Sequence, residues 1–193
     1  GALLEAGKSG EAAGGAGYAY RLAAALQFLA RVHLARGDAA AVEDVAGQFR
    51  AMAGPNATRR LLRERDFFQG VAALESGRAA EAVQLLERTV SQAARKDGVD
   101  GRVMLYRLAL ASARERTGDR AGAAEDLKGI IESPGDSLDF EGALAKAVLG
   151  LARVEDKLGR TERARTRYGE FLELWKDADA GRPEVEEARA RLA

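Results

Sequence analysis

Four places in the sequence hold residue types that could do chemistry. Ala6-Gly7-Lys8-Ser9 has the glycine–lysine–serine order of a phosphate-binding loop, whose backbone N–H groups wrap phosphate oxygens. That loop needs G-x-x-x-x-G-K-S after a strand. Gly1 lies one residue too far upstream, Ala-Leu-Leu-Glu-Ala between favours helix, and no strand-like run precedes it. A plain helix turn is the better reading. His33 is the only histidine and there is no cysteine, so no zinc site can be completed from those ligands. No nucleophile–His–acid pattern surrounds it either, and His33 reads as a packing residue. Glu43/Asp44, Glu125/Asp126 and Glu186/Glu187 are adjacent carboxylates on helical stretches. Neighbours on a helix point about 100° apart, so these pairs do not converge on one substrate atom. Asn56-Ala57-Thr58 matches a glycosylation acceptor in a loop, a short motif that often occurs by chance. The expectation is no catalytic residue, no cofactor, no metal and no enzyme.

Composition points the same way. Apolar residues make up 47% and charged residues 31%, enough for a core and too much hydrophobicity for a disordered chain. The chain leans on Ala, Leu, Arg, Glu and Gly, of which Ala, Leu, Arg and Glu lose least on entering a helix, while strand formers never alternate, so the fold class is all-α. Thirty basic residues balance thirty acidic ones. Such a chain lacks the broad positive field behind nucleic-acid affinity, and DNA or RNA is not expected as a partner. The densest basic stretch, Arg59 to Arg65, is broken by Leu61, Leu62 and Glu64 and reads as a solvated helix edge. No apolar run approaches the ~20 residues that cross a bilayer, so no direct membrane insertion is expected. The sequence opens at Gly1 without an initiator Met, which suggests a fragment or processed product. The absence of cysteine leaves the compartment open.

The elements that would position any functional residue follow from an internal repeat. Ala35-Arg36-Gly37-Asp38, Glu75-Ser76-Gly77-Arg78, Arg116-Thr117-Gly118-Asp119 and Lys157-Leu158-Gly159-Arg160 align, their glycines 40, 41 and 41 residues apart. Seven before each glycine stand Ala30, Gly70, Ala111 and Ala152; five after stand Val42, Ala82, Ala123 and Ala164. Nine after come Ala46, Leu86, Leu127 and Tyr168, and three further on Phe49, Thr89, Ile130 and Phe171. This is the pattern of a helical hairpin. A glycine takes the positive φ that ends a helix, small residues let two helices cross closely, and later apolar residues form the buried stripe. The spacing predicts helices at 18–36, 38–52, 58–76, 78–95, 101–117, 119–132, 138–158, 160–176 and 183–192. Turn-forming clusters, Gly54-Pro55-Asn56, Lys96-Asp97-Gly98 and Ser133-Pro134-Gly135-Asp136, fall between hairpins. Residues 1–17 read as a lead-in or the remnant of a preceding repeat.

A small residue, glycine seven later, alanine five later and then large apolar positions: this resembles the tetratricopeptide repeat, over residues 18 to 176. The period departs from the family's 34, and Arg114 and Glu155 stand where its first-helix Tyr is expected. The resemblance implies a right-handed α-solenoid of about four hairpins (18–52, 58–95, 101–132 and 138–176) within an array at 18–181. The segment from Tyr168 through Trp175, Asp177 and Asp179 to Arg182-Pro183-Glu184 and Leu192 is similar to the closing part of repeat regions in bacterial signalling proteins, behind serine/threonine kinase or winged-helix regulator domains. Those are cytoplasmic proteins or extracytoplasmic parts of membrane-anchored ones. Residues 182–193 read as a capping helix, with Pro183 suited to its first turn and Glu184, Glu186 and Glu187 at the positive end of its dipole.

Tetratricopeptide arrays commonly bind partners in the concave groove lined by the first helices of their hairpins. Carried over by register, the lining residues are Gln27 and Arg31, Phe67 and Val71, Leu105, Leu108 and Ser112, then Lys146, Leu149 and Arg153. The middle is apolar and the ends basic or polar, which suits a protein or peptide with apolar anchors and acidic flanks. The alternative is that Phe67, Leu105 and Leu108 are core. Two function classes follow: a protein-binding or sensory module of a signalling protein, or a subunit that self-associates head to tail into a fibre.

Overall fold

The computed structural model describes residues 21–34, 36–52, 58–93, 102–132, 142–177 and 181–193. Among them the regular structure is helical and there is no strand. Helix α1 covers residues 21–34, followed by α2 (Ala39–Met52), α3 (Arg59–Glu75), α4 (Ala79–Ala93), α5 (Val103–Thr117), α6 (Arg120–Ile131), α7 (Ala143–Lys157), α8 (Thr161–Leu174) and α9 (Pro183–Leu192). The chain forms two compact units, Gly1–Gln92 and Ala93–Ala193. The Gly7-Lys8-Ser9 motif, Asn56 with Ala57 and the three turn clusters lie outside the described residues. Thr58 is described; its Oγ1 caps α3 by accepting from Leu61 N at 3.3 Å.

Each of the four repeat glycines has positive φ: +68° at Gly37, +78° at Gly77, +86° at Gly118 and +71° at Gly159. The hydrogen bonds around them are the same four times over. The N–H of Asp38, Arg78, Asp119 and Arg160 donates to the carbonyl of His33, Ala73, Arg114 and Glu155, and each glycine N–H reaches the carbonyl three residues back. This is the Schellman arrangement, which satisfies the orphan carbonyls at a helix end. Asp38 and Asp119 then start the next helix, their carboxylates accepting from Ala41 N (3.1 Å) and Gly122 N (2.9 Å).

The small and apolar repeat positions are the core. All four residues seven before the glycines, five after, nine after and twelve after are buried, including Thr89, whose hydroxyl is satisfied by donating to Leu85 O at 2.9 Å. In the first unit α2 packs on α3, and Phe49 stacks on Phe68 with centroids 4.8 Å apart. Gly70 of α3 lies directly against Leu86 of α4. The two stand at similar distances before and after Gly77, so these helices run antiparallel. In the second unit α5 to α9 pack consecutively, and α5 also touches α7.

Two apolar clusters fill the second unit. One gathers Ala111, Ala123, Leu127, Ile130, Ala147 and Leu151; the other gathers Ala152, Ala164, Tyr168, Phe171, Ala188 and the partly buried Leu192. Each member of the second is the first's counterpart 41 residues later. The repeat is thus a repeat of packing as well as of sequence.

Some helix boundaries differ from the spacing-based expectation. Helix α7 begins at Ala143, after Gly142 in a left-handed conformation (φ +68°), and not at 138. Helix α8 ends at Leu174 with Trp175 to Asp177 in a turn, and Trp175 packs on Phe171 with centroids 5.2 Å apart.

Candidate interaction surface

The first helices of the second unit stand side by side, joined by ion pairs. Lys157 of α7 reaches Glu115 of α5 at 2.8 Å. Arg153 of α7 grips Glu187 of α9 in a two-pronged bond, Nε donating to Oε1 at 2.8 Å and Nη2 to Oε2 at 2.5 Å. Arg191 of α9 meets Asp156 of α7 at 3.0 Å. Planar guanidinium–carboxylate forks are directional, so these contacts fix how α9 lies against α7.

Arg153, Asp156, Lys157, Tyr168, Glu187 and Arg191 line a cleft of about 390 Å³. The hydrogen bond from Arg153 holds the Glu187 carboxyl below the usual carboxylate range, and the same bond raises Arg153. Burial pushes the Tyr168 hydroxyl up, with Asp156 and Glu187 adding to the effect.

The register-derived residues divide into three groups. Lys146 and Arg31 are exposed, and Gln27, Phe67, Leu105, Leu108 and Ser112 are half-buried, Phe67 edge-on to Phe68 at 5.0 Å and Leu108 against the first apolar cluster. Val71 and Leu149 are corrections: both are core. Val71 lies in a run of five buried residues, Gly70 to Leu74, which a helix shows only when neighbours cover it on more than one side. Leu149 lies in the cluster that α8 and α9 close over. Arg153 is half-buried but already occupied by Glu187.

Other sequence readings can be placed as well. His33 is half-buried, with a buried Nδ1 that lies 3.7 Å from Asp38 Oδ2 at the turn. The adjacent carboxylates diverge. Asp126 turns inward to Arg114 (2.8 Å) while Glu125 reaches Lys128 (2.7 Å), and Glu187 takes Arg153 while Glu186 takes Arg189 (3.0 Å). Arg114 and Glu155, at the position of the missing Tyr, are bound within their own hairpins, Glu155 by Arg160 at 3.2 Å. One feature escaped the pattern. Phe28 is 67% exposed, although it stands nine before Gly37 just as the buried Phe68 stands nine before Gly77.

No family model, curated protein or solved structure matches the chain. Among the described residues no helix is long and apolar enough to cross a membrane, and no three His, Asp or Glu side chains gather as metal ligands.

Proposed function

We propose that this chain is a protein-binding module, a tetratricopeptide-like array whose first-helix faces receive a peptide or protein, and that it works without catalysis as part of a bacterial signalling protein. The observation that carries the reading is the fourfold register: the same glycine turn and the same buried positions recur at each hairpin. Repetition of this kind builds extended surfaces, not enclosed pockets. On the second unit such a surface offers Leu105 and Leu108 as apolar contacts with Ser112 and Lys146 beside them.

Head-to-tail assembly has less support. Where α7 presents Ala145, Val148, Leu149 and Ala152 to α8, the residues 41 later on α9 are Glu186, Arg189, Ala190 and Ala193, all exposed. A charged face of this kind resists an apolar partner helix. Light scattering over a hundredfold concentration range tests the choice. A constant mass near 20.5 kDa supports a discrete module. Steady growth into rods would replace it with the fibre.

A further inference from the structure

Of the three α7 positions that the register assigns to partners, Lys146 is exposed, while Leu149 and Arg153 are engaged by the chain's own α9. Leu149 is buried in the cluster completed by Val185 and Ala188, and Arg153 is held by Glu187. Helix α9 packs chiefly on α8, and there Ala188 and Leu192 take the places that Ala147 and Leu151 of α7 take against the preceding cluster. Those walls are therefore shaped for an amphipathic helix of repeat type. The electrostatics narrow the choice further. The Arg153 fork selects a carboxylate two residues after the first apolar anchor and one before the small one, as in Val185, Glu187 and Ala188. The hold on α9 includes further polar contacts: Arg191 to Asp156 beside the cleft, and the Arg165 guanidinium donating to the carbonyls of Arg191 (3.3 Å) and Leu192 (2.7 Å).

We propose that α9 is an intramolecular occupant of a partner site, and that the partner is an amphipathic helix of the α9 pattern. That pattern is an apolar anchor, a carboxylate two residues on, a small residue next and leucine four later. This deepens the protein-binding reading and rests on it. A partner helix displaces α9, takes over the Arg153 fork with its own carboxylate, and lies on Ala152, Ala164 and Tyr168. Opening of a single terminal helix is a local event that leaves the α5–α8 core intact.

The probe is a labelled synthetic peptide of residues 181–193, followed by fluorescence anisotropy. The full chain with Val185→Ser and Glu187→Lys keeps the walls intact but disfavours its own α9. Trp175 is the only tryptophan, packs on the same cluster and has Arg182 over its ring at 5.1 Å, so its emission reports whether α9 has left. The opened chain should bind the peptide saturably, and the unaltered chain at least about tenfold more weakly because its site is filled. Adding Arg153→Ala to the opened chain should weaken binding by about tenfold or more. Equal binding by both chains, or no binding by an opened chain that retains its helical circular dichroism, overturns the proposal. Hydrogen exchange on the unaltered chain gives an independent check. Amides of α9 should exchange ahead of α7, and exchange of the two as one unit counts against it. Peptides that bind through Leu105 and Lys146 whatever the state of α9 would leave the protein-binding reading standing while this proposal falls.

Discussion

Gly70 of α3 and Leu86 of α4 touch so closely that a Cβ on Gly70 would stand 2.8 Å from Leu86 Cγ and 3.3 Å from Leu85 Cβ. Leu86 is fully buried, so it has no open space to turn into. This is the one repeat whose small residue is glycine, and it sits opposite a leucine where the first repeat has Ala46.

Gly70→Ala should therefore destabilise the first unit. Overpacking costs about 1–3 kcal/mol, of which the helix preference of alanine over glycine returns up to about 1 kcal/mol. Gly169 of α8 has nothing within 4 Å of a Cβ, and Gly169→Ala should stabilise by about 0.5–1 kcal/mol. Urea denaturation followed by circular dichroism measures both, and equal signs would refute the crossing argument.

The turns make a second contrast. A Cβ at Gly118 meets no atom within 4 Å, so only its backbone, at φ +86°, opposes a side chain. Gly118→Ala should cost about 1–2 kcal/mol by the same denaturation assay, and Gly118→Asn less, because asparagine tolerates the left-handed region better. Equal costs for the two would show that the loss lies elsewhere.

Phe28 and Phe68 hold the same place in the repeat yet have opposite surroundings. Phe68→Ala removes a ring stacked on Phe49 and should cost about 3–5 kcal/mol. Phe28→Ala, at a site 67% exposed, should change stability by no more than about 0.5 kcal/mol. Thermal melts of the two variants decide the point; comparable losses would mean that Phe28 is packed in solution.

This pair also shows how far the sequence could be read. Glycine spacing gave the turns because only a residue without Cβ tolerates φ near +70° to +90° cheaply, a constraint local to a few residues. The small positions gave the close crossings because they recur in fixed register. Exposure of Phe28 and burial of Val71 and Leu149 depend on what covers a helix from the side, and one repeat looks like the next in that respect. The Arg153–Glu187 and Arg191–Asp156 contacts were hidden because they join residues 34 and 35 apart, off the repeat period, on faces where charges are ordinary. The sequence supplied the seat of α9 through Pro183 and its acidic first turn, but not what α9 covers.

Acid should loosen α9 in a way that depends on Glu187. Its carboxyl is held down in the folded chain, chiefly by the hydrogen bond from Arg153. A folded value below the unfolded one, about 4.3 for glutamate, gives stability that is present above that pH and lost as pH falls through the folded value. Trp175 emission should therefore report more release on going from about pH 6 to about pH 3 in the unaltered chain than in Glu187→Gln. Glu187→Gln should also be looser at neutral pH, by up to about 1 kcal/mol for a half-exposed pair. Superimposable profiles would show that the Arg153 fork does not hold α9.

The most direct test of the protein-binding account is a peptide-display selection on the folded chain, with the winning peptides measured by titration calorimetry against surface variants. The account predicts saturable binding that Leu105→Asp or Lys146→Glu, on the first-helix face, weakens by about tenfold or more. Thr166→Asp, on the exposed side of the second helix α8, should leave it unchanged. Peptides that bind equally well to all three variants, or a selection that yields no saturable binder, would contradict the claim that the first-helix face is the functional surface.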